Sequence, residues 1–165
     1  MSLFVEFQIG DDGYLLDTAE VAQVLPLLGI KRVPNAPKGV AGICNYHGAP
    51  VPVIDLSELA TGTPAKRHFS TRLILVRYPG HGGQEHLLGL IAEKVTQTVT
   101  HAATEFFAPG VASNAAPYLV SVCAEGRRLL QRIEVSKLLP PEVSEVLFRP
   151  QAEEDTWSLP ESKRC

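Results

Sequence analysis

Within twelve positions the chain places Cys44, His47 and Asp55, a thiol, an imidazole and a carboxylate. These are the three groups of a nucleophile–base–orienter relay. Two physical requirements weigh against that reading. Strand side chains alternate between faces, so residues three apart point to opposite sides unless a bulge intervenes. A reactive thiolate also needs a cationic neighbour or a helix N-terminus, and Cys44 follows Ile43 in an apolar run. Cys44 reads as a structural cysteine, and a small cysteine hydrolase using Cys44 and His47 is kept only as an alternative.

The other candidates are weaker. His81, Glu85 and His86 lie close together in "HGGQEH", but their spacing matches neither a metalloprotease helix nor a common zinc pattern. The same glycines suggest a phosphate cradle, yet no lysine–serine pair follows them. His68 and His101 adjoin loops and have no recognisable partners in sequence. Asp17 and Asp55 read as helix caps. Cys44, Cys123 and Cys165 are odd in number and far apart, which argues against a disulfide framework or zinc site. Cys44 and Cys123 read as small apolar core residues. No catalytic residue, metal ligand or cofactor site is assigned.

The elements that would position these residues are short. Among 165 residues there are 13 prolines and 13 glycines, and 45% of the chain is hydrophobic. That composition fits one domain or two small, closely joined subdomains built of strands and tight turns. No apolar run is long enough to cross a membrane, and "MSLFVEFQIG" lacks the basic flank of a secretory signal. A cytoplasmic protein without membrane insertion is expected. Charge runs from −4 over residues 1–60 to +4 over 61–139 and −3 over 140–165. The central excess is dispersed, so nucleic-acid binding is not expected.

Val5, Phe7 and Ile9 alternate with polar residues and turn at "GDDG" into a return strand at 14–16. Asp17 with Glu20 reads as a capping box opening a short helix over 18–25, closed by Pro26. Strands are expected at 40–46 and 51–56, around a turn at 47–50. Pro52 within the second must turn its nitrogen to an open edge or bulge. Gly42 within the first marks either a bulge or a contact surface. One helical turn is expected at 56–59, then a polar loop over 60–70. Strands are expected at 72–77, 87–92 and 95–100, and 104–110 reads as irregular. A hairpin over 118–124 and 127–133 crosses Glu125-Gly126, and Pro140-Pro141 stops a last turn at 136–139. No internal repeat is evident. About ten strands and two weak helices make an all-β architecture, with small barrels the leading form. Residues 149–165, acidic with a single Trp157, read as a disordered tail.

The stretch "VPNAPKGVAGICNYHGAPVPVIDL" resembles the signature of the CheW family of chemotaxis coupling proteins. "FVEFQIGDDGYLLDTAEVAQVLPL" is similar to the family's opening hairpin and helix, and "LLGLIAEKVTQTVTH" to its middle hairpin. The likeness covers residues 3–139 within a domain drawn as 1–148. It implies two packed, five-stranded, SH3-like β-barrels and no enzymatic activity. It also implies two partners, the regulatory domain of a CheA-type histidine kinase and the cytoplasmic tip of a methyl-accepting chemoreceptor. Carried over by motif position, Gln23, Asn45, His47 and Gly48 lie on the kinase side, and Val21 and Gly42 near the receptor. Relatives often carry glutamate at the position of Gln23 and arginine at that of His47, a possible charge pair. "STRLILVRY" and "GAPVPVIDLSELATG" resemble adaptors of Wsp-type signalling arrays, so a paralogue with altered partner choice is expected. A module that binds the kinase without receptor coupling is the alternative.

Overall fold

The computed structural model describes residues 1–27, 29–80, 83–109 and 116–148. The alternating opening sequence forms β1 (Ser2–Ile9) and β2 (Asp12–Asp17), joined at Gly10 in a left-handed conformation. Asp17 caps the turn after β2, accepting from the Ala19 N–H at 2.9 Å. The expected helix over 18–25 is a single 3-10 turn, Thr18–Glu20, after which β3 (Val21–Pro26) is extended. Local capping loses here to tertiary pairing: β3 ladders onto β6 (Arg72–Pro79), and Leu25 reaches an apolar cluster through that register.

β4 (Val40–Tyr46) and β5 (Ala49–Asp55) form the second hairpin, followed by α1 (Leu56–Thr61). Asp55 caps α1, accepting from the Glu58 N–H at 3.1 Å. The same carboxylate also receives the Ala65 N–H at 3.0 Å, so it pins the polar loop as well as the helix. The strands expected at 87–92 and 95–100 are one seventeen-residue strand, β7 (Glu85–His101). A bulge lets it serve two sheets: Lys94 has φ 50°, and the β1 register slips between Glu6 and Gln8. β8 (Phe106–Phe107) is a short edge within the segment read as irregular. β9 (Leu119–Glu125) and β10 (Arg128–Ile133) form the last hairpin, turning through Gly126-Arg127. The last 3-10 turn falls at Val135–Lys137. A final helix, α2 (Pro141–Leu147), departs from expectation, because Pro140-Pro141 reads as a stop. Proline suits the first helical turn, whose N–H groups need no intrahelical partner.

Two barrels result. One has the spatial order β3-β6-β7-β5-β4, and the other begins with the far half of β7 and runs β7-β1-β2-β10-β9. In each, the third and fourth strands pair in parallel and the other neighbours pair antiparallel. Numbered along the chain, the first barrel reads 1-4-5-3-2. The second gives the same order if counting starts at β7 and wraps through the N-terminus. They are one topology, entered at different points of the chain.

Among the described residues, eighteen that are buried, including Phe7, Leu16, Ile54, Ile74 and Leu90, form the layer between the barrels. Six, including Cys44 and Val53, fill the first barrel. Four, Phe4, Leu15, Cys123 and Leu130, fill the second. At about 1.5–3 kcal/mol per fully buried large apolar side chain, the shared layer dominates the apolar stabilisation. The two barrels share this layer.

Candidate functional site

Four of the residues singled out in sequence converge on the tip of the β4–β5 hairpin. Tyr46 pairs with Ala49, which leaves His47-Gly48 as a two-residue loop. Both have positive φ, 50° and 86°, the signature of a type I′ turn. Asn45 holds that turn closed, its Oδ1 accepting from the Gly48 N–H at 2.7 Å. Asn45, His47 and Gly48 are all solvent-exposed, so they belong to one small surface.

Gln23 joins them from β3. The Tyr46 hydroxyl donates to Gln23 Oε1 at 2.6 Å, and the His47 ring meets the Tyr46 ring edge-on at 4.3 Å. Tyr46 therefore stands between Gln23 and His47, whereas the family likeness suggests those two as a direct pair. Tyr46 escapes a reading of the sequence because it is partly buried against the first barrel's interior and looks like an ordinary core residue.

Val21 and Gly42 sit elsewhere. Val21 opens β3, is partly buried against the inter-barrel layer, and its carbonyl accepts from Arg77 Nη1 at 3.0 Å. Gly42 lies at a bulge in β4, with φ 147°, and is buried. A bulge with close backbone approach is present there. A Cβ at Gly42 would lie 2.1 Å from the Lys31 carbonyl oxygen. Beside it, Ile43 and Lys31 exchange both backbone hydrogen bonds, at 2.8 and 2.9 Å. This side of β4 therefore carries Ile43's N–H and carbonyl, which makes Ile43–Pro52 and Asn45–Pro50 non-hydrogen-bonded pairs of the hairpin. The missing proline N–H groups thus face away from β4, ahead of the β7 pairing that starts at Val53.

The thiol–imidazole–carboxylate trio is not assembled. Cys44 is 1% exposed inside the barrel, and burial pushes its thiol pKa up. His47 is exposed at the turn, and Asp55 is committed to its two backbone partners. His81 lies outside the described residues. His86 stacks on Phe148 at 4.6 Å, and Glu85 pairs with Arg77 at 3.6 Å. Among the described residues no group of three or more His, Cys, Asp or Glu could hold a metal ion.

His101 has partners that the sequence hid. Its Nδ1 lies 3.2 Å from Glu105 Oε2 and 3.4 Å from Cys123 Sγ, inside the second barrel. Both contacts use the same ring nitrogen, so they cannot pass a proton from one side of the imidazole to the other. Burial also raises the Cys123 thiol pKa, helped by Glu105 and Glu125. This cluster is a polar piece of the barrel core, with Phe4 and Phe106 packed around the ring.

Three comparisons bear on this geometry. The chain is 27% identical over 141 residues to the chemotaxis protein CheW of Klebsiella aerogenes, covering 84% of this chain and 82% of that protein. It is 29% identical over 97 residues to the chemotaxis protein CheW of Helicobacter pylori, covering 58% of this chain and 55% of that one. Its fold is similar to the crystal structure of the scaffolding protein TtCheW from Thermoanaerobacter tengcongensis. The TM-score is 0.75 at 23% identity, over 89% of this chain and 94% of that one. The family model for the CheW-like domain matches residues 3–142, from the first strand into the last helix, and the chain belongs to that family.

Proposed function

We propose that the protein is a non-catalytic coupling adaptor of chemotaxis-type signalling, joining a methyl-accepting chemoreceptor to a CheA-type histidine kinase. The observation that carries this reading is the family match across residues 3–142, supported by relatives that are themselves chemotaxis proteins. The exposed hairpin tip supplies the kinase side through Gln23, Asn45, His47 and Gly48. Val21 and the Gly42 bulge supply the receptor side, with Gly42 acting through the Lys31–Ile43 bridge it permits. Among the described residues no helix is long and apolar enough to cross a membrane.

The test is a reconstitution with purified kinase regulatory domain and a receptor signalling tip. A coupling adaptor binds each alone and brings both into one complex. Binding to the kinase domain without the receptor tip leaves the kinase-only module instead, and binding to neither removes the proposal. Competition between a Wsp-type and a standard chemotaxis kinase then addresses partner choice. Equal affinity for both would sink the idea of a specialised paralogue.

A further inference from the structure

We infer that Tyr46 is the positioning residue of the hairpin-tip surface: its hydroxyl latches β4 to β3 and thereby sets His47 and Gln23 as one recognition unit. The inference rests on the kinase-facing role proposed for that tip. β3 and β4 are the two terminal strands of the first barrel's spatial order and share no ladder pairing. In the middle of β4, Ile43 bridges to Lys31 in the segment that follows β3. At the tip, the Tyr46 phenol reaches Gln23 at 2.6 Å, a contact between residues 23 positions apart.

The hydroxyl is separable from the ring. The ring packs with the partly buried residues over the Cys44–Val53 cluster, and that packing does not need an oxygen. The oxygen instead fixes where the tip lies relative to β3. His47 is tied to the same side chain, its ring and the Tyr46 ring meeting in a T-shaped contact with centroids 4.3 Å apart. Its backbone cannot compensate, since His47 and Gly48 are already held in left-handed conformations by the Asn45 clasp. A tip that loses its latch therefore moves as a rigid turn, carrying His47 away from Gln23. This differs from contact recognition, because Tyr46 acts through its neighbours and need not touch the partner.

A double-mutant cycle against the kinase regulatory domain tests it, using Tyr46→Phe, His47→Ala and the combination. Tyr46→Phe keeps the ring and is expected to weaken kinase binding about fivefold, the scale of one lost hydrogen bond. Receptor-tip affinity should hardly change, and thermal stability should fall by no more than one hydrogen bond is worth. In the His47→Ala background the same substitution should have a markedly smaller effect, because the residue it positions is gone. An identical loss in both backgrounds, or equal losses for kinase and receptor tip, would overturn the inference. Gln23→Glu retains the acceptor and should keep wild-type geometry at His47. A measurement independent of any partner accompanies these: side-chain relaxation of the His47 ring by NMR. Greater ring mobility in Tyr46→Phe supports the latch, and unchanged mobility refutes it. Should the wild-type chain fail to bind the kinase domain, the adaptor reading falls and this ring measurement still decides the latch.

Discussion

Gly42 and Lys31 meet backbone to backbone: a Cβ on Gly42 would sit 2.1 Å from the Lys31 carbonyl oxygen. That carbonyl accepts from the Ile43 N–H, so the approach and the bridge are one feature. Gly42→Ala forces two faults at once, a side chain at φ 147° and a collision with main-chain atoms that cannot swing aside. A strained backbone position costs about 1–3 kcal/mol by itself. With the bridge disrupted, we expect a total loss of roughly 3 kcal/mol in denaturant unfolding. A loss below about 0.5 kcal/mol would mean the bulge can relax, as an ordinary surface position does.

Cys44 should be chemically quiet. It is 1% exposed, and burial raises its thiol pKa, so little thiolate exists and little can reach a reagent. Cys123, 0% exposed, shares both properties. In a Cys165→Ser background, both thiols should resist iodoacetamide in native buffer and react on addition of denaturant. Protection of at least about a hundredfold is expected if reaction waits on opening of the barrels. Rapid and selective alkylation of native Cys44 would revive the hydrolase alternative.

How much of this is legible in the residues depends on whether the cause is local. The β4–β5 hairpin, its turn, the Asp55 cap and the buried cysteines come from alternation and turn chemistry, and they are readable. β3 is easily misread because Asp17 and Glu20 announce a helix locally, whereas the β6 edge that extends Val21–Pro26 lies about fifty residues away. β7 splits in two on a sequence reading because the charged Glu93-Lys94 interrupts the apolar pattern, and in the fold that interruption is a bulge inside one strand. The repeated barrel topology is hidden for a further reason. One copy begins at its fourth strand and wraps around the chain ends, so no sequence period records it. Within the site, family likeness draws attention to Gln23 and His47. Only the fold shows that Tyr46 lies between them.

Glu20 carries a pH signature. Burial raises its pKa, and the opposing effects of the Val135 N–H and Arg132 are smaller. A carboxyl whose folded pKa lies above its unfolded value holds its proton more tightly in the native state. Its stability contribution is complete below the unfolded pKa and is lost as pH rises through the folded one. At neutral pH the charged form is therefore a liability. Glu20→Gln preserves an acceptor for the Val135 N–H at 3.3 Å and removes the charge, an amide nitrogen taking the place of the buried Oε2 that has no partner among the described residues. The variant should melt above wild type at pH 7, with the difference closing toward about pH 4, where carboxyls protonate. A variant that is less stable at pH 7, or an advantage that persists unchanged in acid, would contradict this.

The C-terminal boundary can be tested by two truncations. Val143, Leu147 and Phe148 lie against the inter-barrel layer, and Phe148 stacks on Tyr78 at 5.3 Å as well as on His86. α2 is thus a cover on the largest core and not an appendage. Removing everything after Leu139 exposes that layer and should lower Tm by roughly 5–10 °C, the effect of losing a few kcal/mol of apolar burial. Ending the chain after Phe148 should leave Tm within about 1 °C of the full-length protein, if residues 149–165 are a tail outside the folded unit. If that shorter cut costs as much as the deeper one, the tail belongs to the fold and the domain boundary at Phe148 is misplaced. The two truncations differ only by the nine residues that carry α2 and its aromatic stack. Their contrast therefore isolates the contribution of the helix from that of the acidic segment beyond it.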